Sequence, residues 1–231
     1  MDAFNDSDYL AVEVNESAAD EKSLMAYIAA MSYQDGRKLK DDLDDELVER
    51  LAEALGIPVE DLNTLTPFGA FLFSGSLAKS SLKMQEGLDV YFIQRATKNG
   101  MEIFEIESLG SQLEMFGSFS MPLWEALLED ALDTENASEQ LRELYNAWRL
   151  GDEERLQTAI NSTVEGLSDE LAEEYTNAML TKRDIHMAEV AKKYMEEGKS
   201  VFYVVGAAHL IGENSVIGLL EKDGYEIELV S

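Results

Sequence analysis

The sequence contains no cysteine. That excludes disulfides, thiolate metal centres, iron–sulfur clusters and cysteine nucleophiles. It contains two histidines, His186 and His209, so a histidine-bearing metal site would have to be completed by carboxylates. Prolines number three. No apolar run approaches the ~18 residues that mark a membrane-spanning helix, and no basic stretch leads into an apolar one as in a signal peptide. Positive charge is scarce. Lys and Arg total 18 against 47 Asp and Glu, a formal net charge of −29 over 231 residues. So acidic a surface repels phosphate backbones and anionic lipid, and nucleic acid is not an expected partner. Also missing are a Gly-x-Gly-x-x-Gly turn, a P-loop, a His-Glu-x-x-His pair and a Gly-x-Ser-x-Gly elbow. Phe73-Ser-Gly-Ser-Leu has a helical context and no triad partners. No fixed-period repeat is present.

What is there is a core-forming chain. Hydrophobic residues make up 45%, enough for one packed domain over residues 1–231. Met1 to Asp8 reads as the last turns of a helix already under way, so the domain is expected to be truncated at its N-terminus. Tyr9–Val14 reads as a buried strand. Ser17 is the expected cap of a helix whose apolar positions are Leu24, Ile28 and Met31. Leu43, Leu47, Leu51 and Leu55 form an i, i+4 stripe ended by Gly56 and Pro58. Residues 66–86 read as packed helices, and Gly87 to Lys98 as another helix. Strand patterns recur at 101–107 and 201–205, the latter apolar on both faces as in a buried parallel strand. Between them, helical patterns cover 109–117, 120–133, 138–150, 152–166 and 169–197. A helix over 214–222 leads to Tyr225–Val230, whose alternation predicts a fourth, edge strand. Few strands joined by long helical excursions predict a helix-rich α/β fold, a small and mainly parallel sheet flanked by helices.

Ligands in open α/β sheets gather beyond the carboxyl ends of the strands, and four residues stand there or point there. His209 lies just past the third strand among small residues, placed as a metal ligand or general base, or as a loop histidine bonded to a carbonyl. Glu13 lies in the first strand on the side of Ala11. An acid inside a buried strand is costly unless paired or metal-bound; on an edge strand it would simply be wet. Glu107 ends the second strand. Arg183 falls on the apolar stripe Leu171, Tyr175, Met179, Met187, Val190 and Tyr194. A guanidinium there wants a buried carboxylate or an anionic ligand. His186 lies one turn on.

Arg183-Asp-Ile-His-Met-Ala-Glu-Val-Ala, then Val201-Phe-Tyr-Val-Val-Gly-Ala-Ala-His209-Leu-Ile-Gly212, resembles the end of the TraB/GumN family. Tyr9-Leu-Ala-Val-Glu13-Val resembles the family's strand with an embedded glutamate. Gly87-Leu-Asp89 and Glu107-Ser-Leu-Gly-Ser-Gln112 resemble its Gly-x-Asp and Glu-x-x-x-x-Gln segments. The resemblance implies a hydrolase-like α/β fold with two Gly-x-x-His motifs and a glutamate. Members related to the Tiki proteins are metal-dependent proteases, and pheromone-shutdown members bind or inactivate peptides. It implies Glu13, Arg183 and His209 as catalytic groups, Glu13 and His209 as ligands of zinc or manganese, and Asp89, Glu107 and Gln112 as substrate-binding residues. Asp184 departs from the family's Arg-Asn pattern. The family's first Gly-x-x-His is expected upstream of Met1, so this chain should hold metal weakly or not at all and should be impaired as a peptidase. A non-catalytic peptide binder is the alternative. A peptide or small-molecule substrate follows, with a homodimer expected through an open sheet edge. Many bacterial relatives carry an export or lipoprotein signal, which implies an extracytoplasmic or anchored location for a longer parent.

Overall fold

In the computed structural model, which describes residues 2–82 and 87–230, three strands form one parallel sheet. The central strand β1 (Tyr9–Val12) lies between β2 (Glu102–Glu105) and β3 (Val201–Val204). Tyr9 stands opposite Glu102 and Val201, and Val12 opposite Glu105 and Val204. This is the small parallel sheet flanked by helices that the pattern predicts.

The period-2 alternation of β1 separates two cores. Leu10 and Val12 pack with Phe4 of α1 (Asp2–Asn5) and with Ile93 and Ala96 of a helix that precedes β2. Ala11, on the other face, packs with Met187, Ala188, Val216 and Leu220. The helices between β1 and β2 are α2 (Glu21–Ala30), α3 (Leu39–Asp42), α4 (Asp45–Leu55), α5 (Val59–Leu62), α6 (Pro67–Leu82) and α7 (Leu88–Asn99). Those between β2 and β3 are α8 (Leu109–Gly117), α9 (Met121–Leu132), α10 (Thr134–Leu150), α11 (Glu153–Asn161), α12 (Asp169–Thr176) and α13 (Lys182–Glu196); α14 (Val216–Lys222) follows β3. Side-chain caps define several starts: Asp44, Asp133, Ser168 and Ser215 each accept from a backbone N–H in the first turn.

Most of these helices build cores of their own beside the sheet. The leucine stripe of α4 buries Leu47 and Leu51 with Leu39, Leu62 and Leu128. Phe68, Phe119, Leu123 and Trp124 form a second, aromatic cluster, and Ala178 joins it. α12 and α13 are one continuous rod interrupted by a π-turn over Asn177–Thr181. Its first half packs Leu171, Tyr175 and Met179 into the aromatic cluster, and its second half packs Met187 and Val190 against the sheet. Arg183 stands where one contact gives way to the other.

Several expectations change. Asp20, not Ser17, caps α2, accepting from Ser23 N at 2.7 Å. The stripe Leu24 and Ile28 of that helix is exposed rather than packed, because helical period fixes a face and not what covers it. β1 ends at Val12 and β2 at Glu105, which leaves Glu13 and Glu107 just beyond their strands. Tyr225–Val230 forms no strand: Tyr225 packs in the sheet-side core, and Leu229 and Val230 are 85% and 84% exposed. Alternation sets a wet and a dry face, but a strand also needs a neighbour to accept its ladder. Part of the helical reading of 66–86, residues 83–86, lies outside the described residues.

Met187 is fully buried on the sheet face, so Met187→Ala should cost ~2–5 kcal/mol in a denaturant melt. Leu229→Ala, at the exposed tail, should stay within about 0.5 kcal/mol of the parent. Equal melts for the two variants would refute this assignment of the core.

Candidate active site

Three segments leave the sheet at its carboxyl end, and each carries a residue expected from the sequence. The β1–β2 ladder runs on past the strands: Ile106 N–H donates to Val12 O at 2.9 Å and Glu107 N–H to Glu13 O at 2.8 Å. Glu13 and Glu107 are thereby set side by side. Arg183 of α13 reaches across both. Its Nε and Nη2 donate to Glu107 Oε1 and Oε2, each at 2.8 Å, a paired fork-to-carboxylate contact. Nη2 also donates to Glu13 Oε2 at 2.6 Å, and Nη1 to the Met179 carbonyl at 3.2 Å. The guanidinium is 12% exposed. Of its five N–H donors, four are committed.

Burial pushes the Glu107 carboxyl up. The hydrogen bonds and charge of Arg183, helped by Gln112 and the charge of His209, outweigh it and hold the group below its ordinary value. Burial works against the charged Arg183 too, and Glu107 and Glu13 overcome it, so the guanidinium is held above its ordinary value. Gln112, in the first turn of α8, donates to Glu107 Oε2 at 3.3 Å. Its expected neighbourhood with Glu107 is therefore present.

The third segment is the turn after β3. Gly206 N–H donates to Glu13 Oε1 at 2.6 Å. A Cβ at Gly206 would lie 3.3 Å from that oxygen and 3.7 Å from His209 Cδ2, so the missing side chain lets carboxylate and imidazole approach the same point. His209 and Asp184 are each 4% exposed, and His209 Nδ1 lies 2.6 Å from Asp184 Oδ1. An ionised carboxylate only accepts, so with Asp184 ionised the tautomer assigned to this contact carries its proton on Nδ1. The ring carbon Cδ2 is the edge turned toward Gly206.

Glu13, Glu107, Arg183, Gln112 and His209 thus gather at one end of the sheet. Asp89 does not join them by position: it is exposed in the first turn of α7, the helix covering the opposite face. His186 Nε2 donates to the Ile106 carbonyl at 2.9 Å and so braces α13 against the end of β2. Asp184 stands in the sequence only as a departure from the family's Asn, with no site role assigned to it. Its signal was the stripe Leu180, Asp184, Met187 and Ala188 at helical spacing, which places an acid on a buried face, together with the departure from the family's Asn.

The donor set was tested against a divalent ion. Both Glu13 oxygens and both Glu107 oxygens already accept hydrogen bonds, three of these from Arg183. His209 Nε2 is the remaining donor of the group, and among the described residues no cluster of three His, Asp or Glu has metal-holding geometry. A catalytic zinc normally takes about three protein ligands. These residues, arranged this way, do not fit one.

With this geometry in view, the comparisons are informative. The model of the TraB/PrgY/gumN family matches residues 1–229, and the chain belongs to that family. It is similar to the metalloprotease TIKI homolog of Nematostella vectensis, 24% identical over 74% of this chain and 42% of that protein. It is also similar to metalloprotease TIKI1 of Xenopus tropicalis, 26% identical over 70% of this chain and 37% of that protein, and to human metalloprotease TIKI1, 24% identical over 70% and 37%. The chain spans about two-fifths of the length of these relatives. No solved structure matches it.

Removing the central cation should be severe. Arg183→Ala leaves two carboxylates facing each other without it, and a loss of ~3–5 kcal/mol is expected in a thermal or denaturant melt. An unchanged melt would show that the three charges do not support the fold.

The acid side gives a second test. Because the folded Glu107 lies below its ordinary value near 4.5, its contribution is complete above that pH and disappears as pH falls through the folded value. Glu107→Gln should therefore flatten the loss of stability below about pH 4.5. Parallel acid-unfolding curves for parent and variant would contradict the assignment.

Proposed function

We propose that this chain is a hydrolase domain of TraB type whose site binds and polarises a peptide substrate, with metal-dependent turnover impaired in the chain as it stands. The observation that carries this reading is the Asp184–His209 pair. With Asp184 ionised, Nδ1 donates to it, and Nε2 would then serve as a proton acceptor or donor. Glu13 and Glu107 are held as a rigid pair, with Arg183 as the organiser rather than as a free oxyanion donor, since four of its five N–H groups are already engaged. His209 would accept a proton from an attacking water and return it to the leaving amine. Glu13, its carboxylate fixed by Gly206 and Arg183, would orient that water. The relatives are named metalloproteases, which supports a peptide as substrate and a metal as the usual source of catalytic power. The donor set described above is the ground for expecting that power to be weak here.

A second reading, a peptide binder without turnover, is favoured by the same neutralisation of Glu13 and Glu107. Calorimetric titration with Zn²⁺ and with Mn²⁺ separates the proposals from their alternatives, alongside cleavage of an unstructured peptide. Binding weaker than micromolar and slow cleavage abolished by His209→Ala are expected. Stoichiometric sub-micromolar binding lost in His209→Ala would overturn the donor-set argument. Peptide binding with no cleavage at all, unaffected by His209→Ala, would establish the binder.

A further inference from the structure

Asp184 borders a cavity of about 240 Å³, against about 30 Å³ for one liquid water. It is bounded by α11, the end of α12 with the π-turn, and the loop 208–215. Asp184 and Ala208 belong to its wall, so it adjoins the His209–Asp184 pair directly. Two glycines shape the wall. Gly212 has φ +103°, and a Cβ there would lie 2.8 Å from Gln157 Oε1; a Cβ at Gly218 would lie 2.3 Å from the Glu213 carbonyl oxygen. The positive φ of Gly212 is a backbone conformation that suits glycine, and the close approach of Gly218 to the Glu213 carbonyl leaves no room for a side chain where the loop meets α14. Leu180 and Thr181 of the π-turn also line the cavity, and such one-turn insertions recur at functional sites.

Its chemistry is one-sided. Asp184 and Glu213 bring two carboxylates, and among the described residues no lysine or arginine lines it. A carboxylate offers about four acceptor positions, and His209 takes one of those on Asp184. An anionic ligand would meet both acids within a chain of net charge −29. A purely apolar ligand would desolvate them without replacing their water. The apolar part of the wall, Ile160, Val164, Leu180 and Ile211, suits a methylene stem that carries its charge at the tip.

We propose that this cavity is a subsite for a basic side chain, the lysine or arginine of a peptide lying across the His209–Asp184 pair. The proposal rests on the peptide reading given above, but binding tests it without requiring turnover. The whole chain is titrated by calorimetry with Nα-acetyl-lysine N-methylamide. The same titration is made with the norleucine analogue, which has a similar stem without the charge. Lysine should bind about tenfold more tightly than norleucine, as expected for a hydrogen bond to a charged partner, and added salt should weaken it. Glu213→Gln, at an exposed loop position, should weaken lysine binding severalfold and leave norleucine unchanged. Ile211→Trp should block both ligands, with its fold checked by circular dichroism. Equal affinity for lysine and norleucine, no detectable lysine binding, or lysine binding unaffected by Glu213→Gln would each overturn the subsite. Lysine binding that follows the expected pattern, with no cleavage of lysine-containing peptides, would leave the subsite standing and count against hydrolysis alone.

Discussion

Arg183 binds a carboxylate at the end of one strand and a carboxylate at the end of its neighbour, and the carboxyl end of the sheet depends on that contact. The strands are four residues each, so their ladders are short and the chain leaves them at once. Glu13 and Glu107 leave in parallel, and without a cation between them two acids would face each other at low dielectric. One guanidinium satisfies both, with the fork geometry that a lysine could not provide. The residual charge of the three groups is one negative unit, carried at the point where Gly206 also offers its N–H to Glu13.

The same helix turn supplies the other half of the site. Arg183 and Asp184 are consecutive, and consecutive residues on a helix diverge by about 100°. Arg183 therefore points to the ends of β1 and β2, and Asp184 to the turn after β3, where it meets His209. His186 fixes the same stretch of α13 to the Ile106 carbonyl. A single rod, packed on aromatic helices at one end and on the sheet at the other, thus sets the relative position of all three strand ends. The π-turn just upstream adjusts the angular phase of the rod, so that Met179 serves the helical cluster while Met187 serves the sheet.

Much of this was legible from residue patterns. Alternation and doubly apolar runs located the three strands, and the leucine stripe of α4 located its buried face. Arg183 on an apolar stripe implied a buried carboxylate partner, and it has two. What pattern could not supply was partnership between distant segments. Leu24 and Ile28 have the spacing of a packed face, yet they are exposed. Tyr225–Val230 has the alternation of a strand, yet no ladder receives it. Asp184 stands out in the sequence only as a departure from the family's Asn, because an acid in a helix rich in acids gives no sign of its partner until its face is known. The pattern puts Glu13 inside its strand, although the feature that matters is its position one residue past the end of β1, where the ladder continues to Glu107.

The cation at the centre also bears on the choice between arginine and a metal ion. Two carboxylates at strand ends are a common seat for a divalent ion, and a metal there would do electrostatically what Arg183 does. The two cannot share the same oxygens. For an ion to take Glu13 and Glu107, the guanidinium would have to give up its three carboxylate contacts while its side chain stays only 12% exposed, and an unpaired buried charge costs several kcal/mol. Metal affinity at this site is therefore a difference between two cations competing for one pair of acids, and the arginine is covalently present. His209 stands outside that competition, since the partner of its Nδ1 is Asp184 rather than either of the carboxylates that Arg183 holds.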